Sequence, residues 1–365
     1  MKIIHIVESF GGGVFEFLRI LTSEIEGEHF IIHAIRKDTP TNYKSLFNKN
    51  VKFILWKSAA REINPIKDLK ALVELIKILK SLNSAIDVLH LHSSKAGFFG
   101  RLSAKFLGLS NKVIYTTHGI SFLRKDISSI KKELFIFLEK LAFKFGGKVI
   151  ACSKSEAEFI RKYGISSDYI YNGIKCPPYL EEDNLKPNQK IKIITVGRIS
   201  YQKNPWLFQK IAQYFLPSKD LEFIWVGDGE LRNILNLPNI KITGWVSQEE
   251  VFKFLMQADI YLSTSLWEGL PLAVLQAMCV GLPLVLNNCV GNVDLVKENY
   301  NGFVFKNYDE AIEKLNILIR STKKRLSMGK ASIDLVRKNF TLDKMINRYK
   351  QLYKQVSYNK RKNGR

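Results

Sequence analysis

Two cations, a carboxylate and three histidines have the residue types and spacing to do chemistry in this 365-residue chain. Arg198 and Lys203 follow Gly197 at what reads as a strand end, just ahead of a helix. There a guanidinium fork and an ammonium can clamp a phosphate. Glu268 lies within Ser263 to Pro283, which reads as strand, small-residue loop, helix over Leu272 to Val280, and the next strand. The free N–H groups and the dipole at that helix start favour an anion such as a diphosphate. Gln276 lies two turns along the same helix, polar within an apolar face. His90 and His92 alternate on one strand, and His118 precedes Gly119 at the end of another. Zinc would need a third matching ligand. His90 and His92 read as satisfied core histidines, and His118, in an open loop, as a substrate contact.

The elements that must position these groups begin with an apolar strand, Lys2 to Val7, a loop containing Gly11, Gly12 and Gly13, and a helix over Phe15 to Ile25. Contiguous glycines do not match the G-x-G-x-x-G spacing, and no acidic residue plainly ends the second strand, so a dinucleotide site is disfavoured. The glycines still let a backbone approach a ligand closely. Strands are expected over Phe30–Ile35, Val51–Trp56, Asp87–His92, Lys112–Tyr115 and Lys148–Cys152, with a Lys-rich helix over Pro65–Leu82. The helix from Ile130 to Phe145 is apolar and edged by Lys131, Lys132, Lys140 and Lys144. It reads either as core or as a basic, aromatic face for an anionic membrane. Strands restart at Ile191–Val196, Glu222–Val226 and Ile240–Thr243. The expected division is a domain over 1–176, a linker over 177–190 and a second domain over 191–341. A basic amphipathic helix over 342–365, with Tyr349 and Tyr353 on one stripe, is expected to pack back on the first domain.

The net charge is +22, and between Val51 and Ile150 the chain has 18 Lys and Arg against 7 Asp and Glu. Such an excess suits an anionic partner or a well-solvated basic surface. Nucleic acid is disfavoured, because no recognition motif organises the basic residues. Cys152, Cys176, Cys279 and Cys289 lack metal-ligand spacing and read as thiols in a reducing cytosol rather than disulfides or zinc ligands. Glu8 falls where a signal peptide would still be apolar, and no run reaches transmembrane length, so the protein is expected to stay inside the cell. No carboxylate pair at hydrolase spacing can be named.

The glycine loop after the first strand, His118-Gly119, Gly197-Arg198 with Lys203, the glycines after Val226, and Glu268-Gly269-Leu270 with a polar residue at Gln276 together resemble the retaining nucleotide-sugar glycosyltransferases of family 4 (group 1). The resemblance runs nearly end to end, and the runs around His92 and His118 are similar to bacterial members that build surface polysaccharides. It implies an α/β protein of GT-B architecture, two Rossmann-like domains facing across a cleft, with the donor held mainly by the second and the acceptor by the first. By resemblance the catalytic residues are His118, Arg198, Lys203 and Glu268. Donor contacts would come from Gly12, Gly13, Gly197, Gly227, Gly269, Leu270 and Gln276, and acceptor contacts from Gly11, His92 and Lys95. Gln276 departs from the pattern, which has a second glutamate there. No cofactor or metal is implied, since Arg and Lys neutralise the leaving diphosphate. The implied activity is transfer from a nucleotide sugar, a UDP-sugar, to a glycan or lipid-diphosphate-linked glycan in capsule or O-antigen synthesis. The enzyme would act in the cytoplasm, peripherally on the inner face of the cell membrane. A catalytically silent partner subunit is the alternative.

Overall fold

Apolar runs of four to six residues, buried on both faces, are the signature of strands in a parallel sheet covered by helices. The computed structural model describes residues 1–36, 39–60, 64–82, 86–178 and 190–358. The chain divides into two units. Unit 1 comprises Met1–Leu123, Ile127–Tyr171 and the chain from Met345 on; unit 2 comprises Arg124–Asp126 and Asn172–Lys344.

In unit 1, β1 (Lys2–Val7), β2 (Glu28–His33), β3 (Val51–Leu55), β4 (Val88–His92), β5 (Val113–Thr116), β6 (Lys148–Ala151) and β7 (Asp168–Tyr169) form one parallel sheet in the order β3-β2-β1-β4-β5-β6-β7. The strand order reverses between β1 and β4, the topological switch point at which open α/β sheets bind ligands beyond their strand ends. Helices α1 (Gly12–Glu24), α2 (Pro65–Leu82), α3 (Ser94–Phe106), α4 (Ser129–Phe143) and α5 (Lys154–Arg161) supply the crossovers. Helix α3 packs beside both α2 and α4. A buried ion pair joins α3 to α4, with Arg101 Nη2 2.7 Å from Glu139 Oε2, and Tyr115 donates its hydroxyl to the same carboxylate at 3.0 Å. Glu139 therefore faces inward, while Ile130, Leu134 and Phe137, one stripe of the same helix, face solvent.

Unit 2 repeats the plan. Strands β8 (Ile191–Val196), β9 (Leu221–Val226), β10 (Ile240–Ile242), β11 (Ile260–Ser263), β12 (Leu284–Asn287) and β13 (Gly302–Phe305) run parallel in the order β10-β9-β8-β11-β12-β13. Their switch point lies between β8 and β11. Helices α6 (Pro205–Tyr214), α7 (Gln248–Met256), α8 (Leu272–Cys279), α9 (Tyr308–Ile319) and α10 (Thr322–Asn339) pack around the sheet. The core centres on Phe208, Phe223 and Trp225, which meet edge to face at ring distances of 5.7 and 5.0 Å from Phe208. The last helix, α11 (Leu342–Tyr358), enters unit 1, where Tyr353 Oη lies 2.6 Å from His90 Nδ1.

Two expectations change. Residues 172–176 belong with unit 2, and the linker expected over 177–190 lies outside the described residues except at 177, 178 and 190. Cys176 and Cys279 are joined as a disulfide rather than kept as thiols. The cause is tertiary: the segment after Tyr171 returns to α8 and sets their Cα atoms 5.4 Å apart, within bonding range, although 103 positions separate them in the chain. Cys152 and Cys289 stay outside any disulfide as buried thiols, as expected.

Candidate active site

In unit 2, the loop after β8 leaves the sheet at Gly197 and makes a short helical turn over Tyr201–Lys203. Asn204, at φ +53°, then caps α6 by accepting from Leu207 N–H at 3.3 Å. Pro205 at the first helical position suits this start. The loop after β11 is sewn to this turn: Thr264 Oγ1 donates to Lys203 O at 2.7 Å, and Leu266 N–H to Gln202 O at 2.8 Å. Those links bring Lys203 Nζ to 2.7 Å from Glu268 Oε1, while Gln202 Nε2 donates to Glu268 Oε2 at 3.3 Å. Burial is the largest single influence and pulls the Lys203 ammonium down, but the charge and hydrogen bond of Glu268, together with Tyr261 and Cys289, hold the ammonium above its ordinary range.

Two glycines are required by close packing. A Cβ on Gly227, at φ +135°, would lie 2.3 Å from Gly197 O, so a side chain there would part the loops after β8 and β9. A Cβ on Gly291, at φ +85°, would meet Gly269 O at 2.7 Å and Glu268 Cβ at 2.9 Å. Asn292 is fully buried and donates to Asn287 O and Ser263 Oγ, bracing the loop that carries Glu268. Arg198 is exposed, its guanidinium 6.0 Å above the Trp245 ring. Gln276 is buried on α8, whose first residue is Leu272 with Pro271 at the N-cap.

In unit 1, α1 starts at the glycine loop with Gly11 as its N-cap. Gly12 and Gly13 are exposed, and a Cβ on either would meet nothing within 4 Å, which leaves room above the helix start. Glu8 accepts from Ser93 Oγ–H and, at 3.2 Å, from Ala96 N–H in the first turn of α3; burial pushes its carboxyl up. The loop after β5 holds His118 at φ +51° and Gly119 at φ +89°. Glu156 fixes that loop. Its carboxylate accepts from Thr117 Oγ1–H, Gly119 N–H, Ile120 N–H and Cys152 N–H at 2.7 to 3.0 Å. Burial pushes the Glu156 carboxyl up, and these four donors act against that shift.

His118 Nε2 lies 3.1 Å from His92 Nδ1, and Phe17 packs edge-on at 4.7 Å. Burial lowers its pKa to about 3. His92 is fully buried, with its other nitrogen 3.2 Å from His5 Nδ1, which leaves no nitrogen to offer an acceptor. Lys95 Nζ is engaged with Asp68 Oδ1 and Ala60 O, each at 2.7 Å.

The sequence reading missed a third histidine beside His90 and His92. Parallel pairing of β1 with β4 sets His5 opposite His90, and the ligand atoms of His5, His90 and His92 lie within 4.8 Å of one another. Each of those nitrogens has a hydrogen-bonding partner: His29 and His92 for His5, Tyr353 and Thr116 for His90, His5 and His118 for His92. Glu8, Glu156 and Asn292 were also missed. Only Glu156 left a signal, the S-x-x-E pattern from Ser153 that marks a helix start.

The family model for glycosyl transferases group 1 matches residues 179–334, and that for glycosyltransferase family 4 matches residues 25–176. The UDP-Gal:alpha-D-GlcNAc-diphosphoundecaprenol alpha-1,3-galactosyltransferase of Escherichia coli is 30% identical, over 94% of this chain and 94% of its own. The N,N'-diacetylbacillosaminyl-diphospho-undecaprenol alpha-1,3-N-acetylgalactosaminyltransferase of Campylobacter jejuni is 26% identical, over 87% of this chain and 89% of its own. Among solved structures, Anabaena Alr3699/HepE in complex with UDP and glucose aligns with a TM-score of 0.78 at 17% identity, covering 97% of this chain and 100% of that one.

Proposed function

The chain belongs to the glycosyl transferases of group 1, enzymes of GT-B architecture, and on that premise we propose that it transfers a hexosyl or N-acetylhexosaminyl unit from a UDP-sugar to a sugar on a lipid diphosphate, with retention at the anomeric carbon. The carrying observation is the Lys203–Glu268 pair, held by loops that meet at the switch point of unit 2. Lys203 and Arg198 stabilise the charge that grows on the departing diphosphate, and Glu268 takes hydroxyls of the transferred sugar. Glu268 also keeps Lys203 protonated before the donor arrives. His118 meets a sugar hydroxyl. Retention follows when the acceptor hydroxyl attacks from the face the diphosphate leaves, so positioning and electrostatics replace a strong base. Two cations on the diphosphate make a divalent metal unnecessary in this reading. The silent-subunit alternative loses to end-to-end similarity with a named transferase.

The acceptor's lipid anchor requires work at an anionic membrane surface on the cytoplasmic side. Unit 1 supports this with an inverted helix surface. On α4, Ile130 is 84% and Phe137 61% exposed, on the stripe that includes Leu134, beside exposed Lys131, Lys140 and Lys144. On α2, Ile66 is 71% and Leu69 63% exposed, with Val73 on the same stripe and Lys67, Lys70, Lys77 and Lys80 also exposed. Among the described residues no helix is long and apolar enough to cross a membrane. Apolar stripes edged by lysines suit peripheral docking.

The test combines UDP-galactose, UDP-N-acetylgalactosamine, UDP-glucose and UDP-N-acetylglucosamine with a lipid-diphosphate-linked N-acetylhexosamine. One donor is expected to raise the melting temperature and to yield an α-linked product at a rate that EDTA leaves unchanged. A β-linked product, or a requirement for metal, would overturn the mechanism.

A further inference from the structure

All six histidines of the chain lie in unit 1, and four of them stand in single file. His29 Nε2 lies 2.7 Å from Ile25 O; His29 Nδ1 lies 3.1 Å from His5 Nε2; His5 Nδ1 lies 3.2 Å from His92 Nε2; and His92 Nδ1 lies 3.1 Å from His118 Nε2. Beyond the file, His118 Nδ1 is 3.7 Å from Cys152 Sγ. A neutral imidazole has one N–H and one lone pair, so each contact decides the next. A carbonyl oxygen only accepts, so His29 must have its proton on Nε2 and its lone pair on Nδ1. His5 must then donate from Nε2 and accept at Nδ1. The same assignment passes to His92 and on to His118.

We propose that His29, His5 and His92 are positioning residues for transfer: anchored on the Ile25 carbonyl, their one-way file holds His118 as the Nε2–H tautomer, so that it meets a sugar hydroxyl as an acceptor at Nδ1, in place of the Cys152 thiol. The part concerning the sugar rests on the role given to His118 under Proposed function. A charged ring anywhere in the file would donate in both directions and reverse every ring beyond it. Burial opposes that, lowering the pKa of His29, His5, His92 and His118 alike. The file cannot serve as a proton conduit, because its inner end is a carbonyl that neither gives nor takes a proton at neutral pH. Its rings are also clamped from the side: His90 packs 4.1 Å from His92, and is itself held by Thr116 and Tyr353.

Nitrogen-15 NMR of the full chain with labelled histidine reads the tautomers directly, each signal assigned by single substitution. In the wild type without ligand, all four rings should have a protonated Nε2 and a bare Nδ1. His29→Phe removes the anchor and should populate the Nδ1–H form of His118, whereas His29→Asn keeps an acceptor near the Nδ1 position and should restore the wild-type pattern. Transfer from UDP-galactose should fall about tenfold in kcat in His29→Phe, with UDP affinity unchanged, and recover in His29→Asn. A protonated Nδ1 on wild-type His118 would overturn the proposal, even if His29→Phe failed to fold. So would an unchanged His118 signal in a folded His29→Phe, or zinc bound through His5 and His92 in the purified chain. If the wild type showed the expected tautomers but His118→Ala transferred at the wild-type rate, the sugar contact would fail and the file would stand.

Discussion

At the scale of single residues, the two cations of the proposed phosphate clamp differ in their surroundings, and their variants should differ accordingly. Lys203 is largely enclosed and paired with Glu268, so Lys203→Ala leaves a carboxylate without its partner. Transfer should fall a hundredfold or more, with about 1–3 kcal/mol lost from folding stability. Arg198 is exposed beside Trp245, so Arg198→Ala should cost a similar factor in transfer and leave the urea midpoint in place. Near wild-type turnover in either variant at saturating donor would remove the clamp. Gln276 is buried on α8 where the family pattern has a glutamate. A charge-assisted pair of acceptors is worth about 1–2 kcal/mol more than an amide oxygen, so Gln276→Glu should tighten UDP binding about tenfold by calorimetry. Weaker binding would mean that this protein uses the amide N–H₂ as a donor.

At the scale of elements, the strands and long helices were legible because their burial pattern is local. Helix α2 spans Pro65–Leu82 and β8 spans Ile191–Val196, the limits that periodicity and flanking residues predict. Helix α8 begins at Leu272, as read, with Pro271 as its N-cap, and ends at Cys279, one residue short of the expected Val280, which serves as the C-cap. The Cys176–Cys279 bond, which ties the chain entering unit 2 to the C-terminal end of α8, left no sequence signal. It closes a loop of 103 positions, so Cys176→Ser should lower stability by about 2–4 kcal/mol in urea titration. UDP affinity should stay unchanged, since the bond ties down the C-terminal end of α8 whereas the Lys203–Glu268 pair is held by the loops after β8 and β11. An unchanged midpoint would show that the bond does not form in solution.

At the scale of the whole molecule, the buried histidines set the response to acid. All six have pKa values below the ordinary 6.5, chiefly through burial. Between 6.5 and those lower values the unfolded chain binds more protons than the folded one, so stability falls as pH falls. Each histidine held neutral costs up to about 1.4 kcal/mol per pH unit in that window. Glu8 and Glu156, raised by burial, act in the opposite direction, but two carboxyls do not offset six imidazoles. Against a typical stability of about 5–15 kcal/mol, melting temperature should drop steeply between about pH 6 and 4. A flat profile from pH 7 to 5 would contradict it. Charge gives the second prediction at this scale. Each lysine near an anionic bilayer is worth about 1 kcal/mol, screened over about 8 Å at physiological salt. Binding to anionic vesicles should weaken with salt and fall in a Lys131→Glu, Lys140→Glu, Lys144→Glu variant. Replacing Ile130 and Phe137 with Ser should weaken it further. Equal binding to neutral vesicles would leave the charge as a solvated surface.

The alternation of strand and helix determined the α/β fold class by itself, and the glycines at strand ends with Arg198 and Lys203 marked a phosphate clamp, because parallel sheets place their sites just past strand ends in local, readable segments. The reaction class came from the family resemblance that those residues carry. Partners distant in the chain were a different matter. That His5 lies beside His90 and His92 depends on the register of β1 against β4, and that Glu156 holds the His118 loop depends on α5 packing back under it. Composition showed that α4 was basic and apolar, but only the buried Arg101–Glu139 pair decided which stripe of it meets solvent. Hydrogen bonds and ion pairs that close over tens to hundreds of residues have no periodicity to read, and the packed fold alone brings their ends together.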